Sequence, residues 1–362
     1  MKVFLFSSGF HEYIIELSNS MTNYASVTLC IPNKNISKKH HSLINNKVNI
    51  ETFYFVDYKS IRDKIKMLND IRKILKINKP DIIHIQAHGL PNFYCLFPFI
   101  INRNIINTIH DVRPHTGDKL SKRNIINNYI INKLTKHVIV HGKEQKKEAI
   151  RRLNLSAEKI SVINHGNLAI YKNWRDKEVN KDMFTFLFFG RIWPYKGLKY
   201  FINAANLLAE RNDKVKFIIA GKGENFKKYE KLIQQKEKFE IKNYRISELE
   251  IDELFQKSRI VVLPYTDATQ SGVIPIAFSY ENLVISTNVG SLPEIVIHKK
   301  TGLICEPKNT KDLFNKMNYS INNIEEIDVI IKNSKKLTKT SLNWDNIAEK
   351  TYKIYQKIYK PK

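Results

Sequence analysis

Short apolar runs that alternate with amphipathic stretches constrain the fold of this 362-residue chain more than any other feature. In the first half these runs read KVFLFS, SVTLCIP, VNIETFYF, DIIHIQ, NIINTIH, HVIVHG and KISVINH. They are apolar throughout and leave room for helices between them, which is typical of strands covered on both faces in a parallel sheet. The first half is therefore predicted to be a doubly wound α/β domain.

The same alternation restarts after residue 183, where FTFLFFG, VKFIIAG, RIVVLPY and NLVIST are the predicted strands. A single hydrophobic core stops growing near roughly 250 to 300 residues, so a chain of this length is expected to form two domains. We predict an N-terminal domain over 1–168, a polar connector over 169–183, a C-terminal domain over 184–343, and a terminal helix over 344–362 that packs back toward the N-terminal domain.

The formal net charge of +25 indicates an anionic partner, such as nucleic acid, an anionic membrane surface or a phosphorylated substrate. Basic residues concentrate over 119–152 and 59–76, and such a face can draw an enzyme to an anionic inner leaflet. Codon usage in an AT-rich genome explains the excess of lysine equally well. We find neither interleaved aromatic residues nor a recognisable nucleic-acid-binding module, so no nucleic acid partner is expected.

Cysteine usage and hydropathy bear on the compartment. Cys30, Cys95 and Cys305 are scattered and odd in number, so neither a disulfide framework nor a zinc site is predicted. No stretch approaches the roughly 20 apolar residues that span a bilayer, and the N-terminal run indicates a first strand rather than a signal peptide. We expect a cytoplasmic protein and leave peripheral contact with the inner membrane face open.

Two loops carry residue types that suit a diphosphate. The segment FFGRIWPYKGL places Arg191 and Lys196 between a strand and a helix, where cations can neutralise charge that develops on a leaving group. In PYTDATQSGVIPIAFSY, Ser271 and Gly272 open a helix whose free N–H groups and dipole favour phosphate. Surface cations and helix capping explain each loop alone equally well. Taken together, the loops predict a phosphate clamp.

The segments FGRIWPYKGL, IIAGKGE and PYTDATQSGVIPIAFSYENLVISTNVGSLPEIVIHKKTGLI, in this order and spacing, resemble the retaining GT-B glycosyltransferases of group 1, family 4, in a branch with a TQSG signature. The resemblance is specific over about 184–310 and weaker across the first half. It implies two Rossmann-like domains that face each other across a cleft. A nucleotide-diphosphate sugar would bind the second domain and a saccharide or lipid-linked acceptor mainly the first, with retention of configuration and a use in cell-surface polysaccharide synthesis.

The resemblance also implies roles for single residues. It places Glu294 near the nucleotide ribose and His110 opposite the donor sugar, although a core histidine is the plainer interpretation of His110 alone. The implied catalytic residues are His110, Arg191 and Lys196, and the implied donor-binding residues are Gly9, Ser271, Gly272, Val273 and Glu294.

The chain departs from the family pattern at two positions. Many members carry two glutamates with seven residues between them, and the corresponding positions here hold Ala268 and Ile276. The ribose contact is therefore open, with Glu281 or Glu294 as alternatives. The sequence contains no Asp-x-Asp, so we expect no metal and no cofactor besides the sugar nucleotide as co-substrate.

Two other functions are compatible with the sequence. A related nucleotide-sugar epimerase would release an isomerised sugar without an acceptor. A non-catalytic protein that binds polyanions would use the positive charge and show no affinity for nucleotide sugars.

Overall fold

The computed structural model describes residues 1–33, 36–54, 60–86, 104–113 and 132–359. They form two compact units. The first contains the described residues up to Val112, those from 132 to Asn164, and those from Trp344 onward, and the second contains Arg113 and His165–Asn343.

The first unit is built on a seven-stranded sheet in which every neighbouring pair of strands is parallel, in the order β3-β2-β1-β4-β5-β6-β7. The strands are β1 (Lys2–Ser7), β2 (Ser26–Pro32), β3 (Asn49–Phe53), β4 (Ile82–Gln86), β5 (Asn104–Ile109), β6 (His137–Val140) and β7 (Ile160–Val162). The helices of this unit are His11–Met21, Lys38–Ser42, Ile61–Asn78, Lys143–Leu153 and Trp344–Ile358.

Strand β1 shows why both faces of this sheet are covered. Successive side chains of a strand point to opposite faces, and all of β1 except Lys2 is buried. Leu5 belongs to the hydrophobic cluster that contains helix His11–Met21, whereas Phe6 belongs to the cluster that contains helix Ile61–Asn78. The uninterrupted apolar run in the sequence therefore matches a strand between two helical layers.

The second unit repeats this architecture with a six-stranded parallel sheet in the order β10-β9-β8-β11-β12-β13. The strands are β8 (Asp182–Phe189), β9 (Lys216–Ala220), β10 (Phe239–Lys242), β11 (Ser258–Leu263), β12 (Leu283–Thr287) and β13 (Leu303–Cys305). The helices are Leu198–Ala209, Lys227–Glu230, Glu248–Lys257, Val273–Ser279, Thr310–Asn322 and Ile324–Lys339. The prediction of two doubly wound α/β domains is confirmed.

The segment 169–183, predicted as a polar connector, carries structure of its own. Ala169–Trp174 forms a 3-10 helix in the second unit, and β8 already begins at Asp182. Ile170 is buried, and the guanidinium of Arg175 lies 3.4 Å from a carboxylate oxygen of the buried Asp252. These contacts attach the segment to the second unit, and the polar composition of the sequence did not reveal them.

The helix Trp344–Ile358 belongs to the first unit, where it packs against helix His11–Met21. The rings of Tyr13 and Trp344 meet edge to face with centroids 4.7 Å apart. Further along, the Tyr355 hydroxyl lies 2.6 Å from Nδ1 of the buried His84. The chain thus returns to its first unit after completing the second.

The described residues bear on the expectations about the cysteines and about membrane-spanning helices. Cys30 and Cys305 are buried free thiols, whereas Cys95 lies outside the described residues. Among the helices that the structure describes, none combines the length and the apolar character needed to cross a bilayer.

Candidate functional site

The loop that follows β8 is shaped by two glycines. Gly190 has a φ of 125° and Gly197 a φ of 70°, values that side-chain-bearing residues rarely adopt. A Cβ atom on Gly197 would lie 1.9 Å from the Pro264 carbonyl oxygen, so only glycine allows this loop to approach the end of β11 so closely. Pro194–Lys196 forms a 3-10 turn between the glycines. The loop with Arg191 and Lys196 is therefore fixed against the loop that carries Ser271.

Two tyrosines that the sequence analysis missed hold the two cations. The Arg191 guanidinium donates a hydrogen bond of 2.9 Å to the Tyr195 hydroxyl, and Lys196 Nζ lies 3.7 Å from the ring centroid of Tyr265. A cation over a tyrosine face is attracted by the ring quadrupole. Both rings are buried, whereas Arg191 is exposed and Lys196 half-buried. The cations are thus positioned by the core and directed toward solvent.

Tyr265 also connects the cations to Ser271. Its hydroxyl lies 3.2 Å from Ser271 Oγ, which in turn accepts a 3.3 Å hydrogen bond from the Val273 amide. Burial raises the pKa of Tyr265 to about 12, while the nearby positive charge of Arg191 acts in the opposite direction. Tyr265 therefore stays a neutral phenol between two polar partners. Arg191, Lys196 and Ser271, which the sequence predicted to act together, share one tyrosine-linked network.

The helix that follows Gly272 is short, which limits the electrostatic contribution of its dipole. Helix Val273–Ser279 contains seven residues, so few peptide dipoles add up at its first turn. The backbone at Gly272 is ordinary, with φ −66°, and a Cβ placed there would meet no protein atom within 4 Å. The open space in front of Gly272 is compatible with a ligand that approaches the backbone, and the main positive charge comes from the two cations.

Glu294 is positioned by a turn that packs on the same loop. The Ser291 amide donates a 3.1 Å hydrogen bond to the Thr269 carbonyl, and a Cβ on Gly290 would lie 2.0 Å from the Ala268 carbonyl oxygen. Glu294 follows in the 3-10 turn Leu292–Glu294, where it is exposed. The turn that leads to Glu294 therefore packs against the loop that leads to Ser271.

The positions where related enzymes carry two glutamates have a packing role here. Ala268 and Ile276 are 2% and 4% exposed, so a carboxylate at either position would have to be desolvated. Glu281, one of the alternatives for a ribose contact, forms a 2.7 Å ion pair with Lys335 and adopts a positive φ of 56°.

In the first unit, Gly9 lies in the turn after β1. Ser7 at the end of β1 donates from Oγ to the Gln86 carbonyl oxygen at 3.1 Å, which ties the turn to β4. A Cβ on Gly9 would meet no atom within 4 Å, so no described contact of the protein requires glycine there. The next residue, Phe10, has a left-handed backbone with φ 53°.

His110 lies directly after β5 and is buried, with 2% of its surface exposed. Its Nε2 lies 3.2 Å from Gln86 Oε1, consistent with donation from the ring N–H to the amide oxygen. The ring of Phe10 stacks on it with centroids 4.0 Å apart, and the rings of Tyr13 and His141 pack at 5.2 and 4.8 Å. His110 is therefore the centre of an aromatic cluster within the first unit.

Gln145 was missed by the sequence analysis, although it organises this cluster. Its side-chain amide donates a 2.8 Å hydrogen bond to the His110 carbonyl and accepts a 2.7 Å bond from the His141 amide. Gln145 is 1% exposed and so fixes the carboxyl ends of β5 and β6 from inside. A lone glutamine in a basic helix gives no sequence signal for this role.

The basic cluster predicted over 119–152 is described only in part. Lys119, Lys122 and Arg123 lie outside the described residues, as does Lys59 of the cluster over 59–76. Several of the described cations have local partners. Lys136 and Lys146 donate to Asn104 Oδ1 and to the Ile160 carbonyl, and Arg152 pairs with Glu148 at 2.7 Å.

Comparison with known proteins identifies both halves of the chain. A family model described as Glycosyltransferase Family 4 matches residues 7–166, and one described as Glycosyl transferases group 1 matches residues 170–337. The chain is 27% identical over 233 residues to an uncharacterized glycosyltransferase of Methanocaldococcus jannaschii, over 60% of this chain and 59% of that protein.

Two further relatives are informative. The chain is 25% identical over 230 residues to the gpi3 subunit of the phosphatidylinositol N-acetylglucosaminyltransferase of Schizosaccharomyces pombe, over 61% of this chain and 49% of that protein. The chain thus spans about three fifths of the length of the M. jannaschii protein and about half of the length of the S. pombe protein. The structure of Anabaena HepE in complex with UDP and glucose superimposes with a TM-score of 0.72 at 18% identity, over 98% of this chain and 99% of HepE.

The likeness to HepE shows the fold, and the two family models show the order of the domains. The two parallel-sheet, Rossmann-like domains correspond to the GT-B architecture of glycosyltransferases. The chain therefore consists of a family 4 glycosyltransferase domain followed by a group 1 glycosyltransferase domain.

Proposed function

We propose that this protein is a glycosyltransferase that moves a sugar from a nucleotide-diphosphate sugar to a saccharide or lipid-linked acceptor with retention of configuration. The observation that carries the proposal is the fixed cation pair, in which Arg191 bonds to Tyr195 and Lys196 lies over Tyr265, next to Ser271. Departure of a nucleoside diphosphate leaves negative charge on the phosphates. Prepositioned cations stabilise that charge without reorganising.

Each residue of the second unit has a proposed task. Arg191 forks to two phosphate oxygens, and Lys196 acts as a point charge. Ser271, Gly272 and Val273 contact the phosphates through side-chain and backbone groups, and Glu294 binds the ribose hydroxyls. Because the cations neutralise the diphosphate, the reaction is proposed to need no metal.

The first unit supplies the proposed sugar-facing residues. Gly9 lets the donor phosphates approach the turn after β1, and His110 contacts the donor sugar. In the buried cluster described above, Phe10 covers the His110 ring, so this contact requires Phe10 to turn aside. The acceptor oxygen is proposed to bond to the anomeric carbon on the same face from which the nucleoside diphosphate departs as the sugar–phosphate bond breaks. A phosphate oxygen of the departing group takes the acceptor proton, and the configuration is retained.

Donor and acceptor classes can be narrowed by the relatives. HepE was solved with UDP and glucose, which makes UDP-glucose the first donor to test. The name of the S. pombe relative specifies a phosphatidylinositol acceptor, which supports a lipid-linked acceptor here. We propose a cytoplasmic enzyme of cell-surface polysaccharide synthesis that contacts the inner membrane face through the basic residues of its first unit.

A thermal-shift panel with UDP, GDP, ADP and their sugars tests the proposal, since a ligand that binds only the native state raises the melting temperature. We expect one base to stabilise the protein and to lose this effect in Arg191→Ala. Stabilisation by no nucleotide would contradict the proposal.

Incubation with the preferred sugar nucleotide, with and without an acceptor, then separates the possible activities. A transferase needs the acceptor, whereas an epimerase releases an isomerised sugar without it. Activity that survives EDTA supports metal independence, and activity restored only by a divalent ion contradicts it.

A further inference from the structure

The second unit contains a second basic site, whose lining includes neither Arg191 nor Lys196. It is a cavity of about 550 Å³ lined by residues of strand β11, of helix Ile324–Lys339 and of two loops. The lining contains six basic and two acidic residues, together with one apolar residue: Lys181, Arg259, Glu281, Asp328, Ile331, Lys332, Lys335, Lys336 and Lys339.

The lysines of this cavity form one stripe of a helix. Lys332, Lys335, Lys336 and Lys339 are spaced i, i+3, i+4 and i+7, so they lie on one face. Like charges three and four residues apart repel and destabilise a helix. Since a helix rises about 1.5 Å per residue, the stripe extends roughly 10 Å along one wall of the cavity.

The two acids of the lining are already engaged. Glu281 pairs with Lys335 at 2.7 Å, and Asp328 pairs with the guanidinium of the buried Arg259. In the described part of the chain, no carboxylate is in ion-pair contact with Lys332, Lys336 or Lys339. Three exposed lysines therefore face the cavity without an acidic counterpart.

The half-buried Lys181 adds a further positive charge to the lining of the cavity. Lys181 donates to the carbonyl oxygens of Ser258 and Tyr280, each at 3.0 Å. Burial, together with the charge of Arg259, lowers the pKa of Lys181 to about 8. An anion in the cavity would relieve this crowding of cations.

We propose that this cavity is a second anion-binding site and that it takes a ligand with two phosphate groups, either a soluble diphosphate or bisphosphate or the headgroups of anionic lipids. The roughly 10 Å stripe matches two phosphate groups better than one, and the 550 Å³ volume exceeds what a single phosphate fills. The site is independent of the proposed transferase function, because it shares no residue with the loops that carry Arg191, Lys196 and Ser271.

The first arm of the test uses inorganic pyrophosphate in calorimetric titrations. Because pyrophosphate also fits the proposed donor site, both proteins compared carry Arg191→Ala. We expect the triple substitution Lys332→Gln, Lys336→Gln and Lys339→Gln to weaken pyrophosphate binding at least 10-fold. Glutamine is a good helix former, so the helix should persist, which circular dichroism checks.

A matched control separates the site from general charge. Lys227→Gln, Lys231→Gln and Lys236→Gln remove three exposed lysines of the same unit that do not line the cavity, and affinity should stay within 2-fold. Equal losses in both triple variants would reduce the effect to net charge and overturn the proposal. Absence of pyrophosphate binding in Arg191→Ala would overturn it as well, leaving the lysines as partners of the helix dipole.

The second arm distinguishes the two sources of phosphate. Sedimentation with vesicles of phosphatidylglycerol and phosphatidylcholine is compared between the same proteins in 150 mM salt. Vesicle binding that the cavity substitutions abolish and pyrophosphate displaces would assign lipid headgroups. Pyrophosphate binding that the cavity substitutions weaken, together with vesicle binding that they leave unchanged, would assign a soluble ligand. Loss of neither property in the cavity variant contradicts the site.

Discussion

The candidate sites of the two units differ in the solvent exposure of their side chains. In the second unit, Arg191 is exposed and donates to the hydroxyl of the buried Tyr195. Lys196 is half-buried and lies over the ring of the buried Tyr265. In the first unit, His110 is itself buried beneath Phe10 and held through hydrogen bonds inside the sheet. A charged group that keeps contact with water can be changed without disturbing the core, whereas a buried ring is part of the core. The same substitution strategy should therefore separate binding from stability in one unit and couple them in the other.

The largest effect is expected at the cation pair. Arg191→Ala or Lys196→Ala should lower kcat/KM about 100- to 1000-fold, because removal of one prepositioned charge-stabilising group costs roughly 3 to 4 kcal/mol in a transition state. The melting temperature should hardly change, since charged groups that keep contact with water contribute little to stability. Steady-state kinetics with the preferred sugar nucleotide and a thermal melt measure both.

The neighbouring Lys199 provides the control for this pair. It is exposed and lies over the ring of Tyr200 rather than over Tyr265. Lys199→Ala should therefore leave kcat/KM within a few-fold of the wild type. Equal losses of kcat/KM in the alanine variants at positions 191, 196 and 199 would show that the activity depends on net charge. They would contradict a specific role for the cations that Tyr195 and Tyr265 position.

A smaller loss of activity, coupled to a loss of stability, is expected at His110. His110→Ala removes the contact with Gln86 and leaves a void beneath Phe10. We expect kcat to fall about 10- to 100-fold and the melting temperature to drop by several degrees, as is usual when a buried ring is truncated.

Gln145→Ala distinguishes a direct role of His110 from a positioning effect. It removes the bridge between the His110 carbonyl and the His141 amide but leaves the His110 ring in place. It should lower the melting temperature while retaining more kcat than His110→Ala. If both variants lose kcat equally at equal stability, His110 acts only through the packing of the cluster.

The sequence predicts the site of the second unit better than the site of the first unit, because the latter depends on contacts between distant segments. Lys196 follows Arg191 by five positions in one loop, so the sequence alone predicts that they lie in the same loop. The parallel sheets followed from apolar runs that had to be covered on both faces, whereas the order of the strands within each sheet was not predicted. In contrast, the contacts of His110 with Phe10, Gln86 and His141 join distant segments, and no local pattern specifies such pairings.

Some errors of the sequence analysis have a physical cause as well. Tyr195 and Tyr265 were not predicted as site residues, because aromatic residues near strand ends are usually core residues. Only the structure shows that Arg191 donates to the Tyr195 hydroxyl and that Lys196 lies over the Tyr265 ring. The dipole argument at Gly272 took no account of helix length, and the helix ends at Ser279 after seven residues. Length depends on packing at its far end, which the TQSG segment does not reveal.

Two glycines of the second unit sharpen the contrast between ligand contacts and core contacts. At Gly272 a Cβ would meet open space and the φ is compatible with alanine, so Gly272→Ala should preserve or slightly raise stability. If the donor phosphates approach this backbone, the added methyl group should raise the KM for the donor about 10-fold. Kinetics and a thermal melt on one preparation measure both quantities.

Gly197→Ala is the matched opposite. Its positive φ and the 1.9 Å approach of a Cβ to the Pro264 carbonyl oxygen predict a clear loss of stability. Unchanged donor KM in Gly272→Ala would remove Gly272 from the proposed binding site and leave the cations as its only tested part.

The smallest effect tests how the terminal helix is held to the first unit. Burial, and secondarily the charge of Asp345, raises the pKa of Glu16 to about 7. A carboxyl whose pKa is higher in the folded state binds more protons there than in the unfolded chain. It therefore stabilises the fold below about pH 4.5, and this contribution is lost as the pH rises to about 7. The loss should be roughly 1 kcal/mol, allowing for partial exposure.

Glu16→Gln keeps the shape of the side chain but does not titrate, so it should be more stable than the wild type at pH 8 and similar to it at pH 4.5. Because buried histidines such as His84 titrate in both proteins, only the difference between the two melting curves is informative. Glu158→Gln, at an exposed position of the same unit, is the matched control for removal of a carboxylate. A pH-independent difference for Glu16→Gln would mean that Glu16 stays ionised at the packing surface with Asp345. Donor binding, which is proposed for the second unit, should not follow this pH dependence, because Glu16 lies in the first unit.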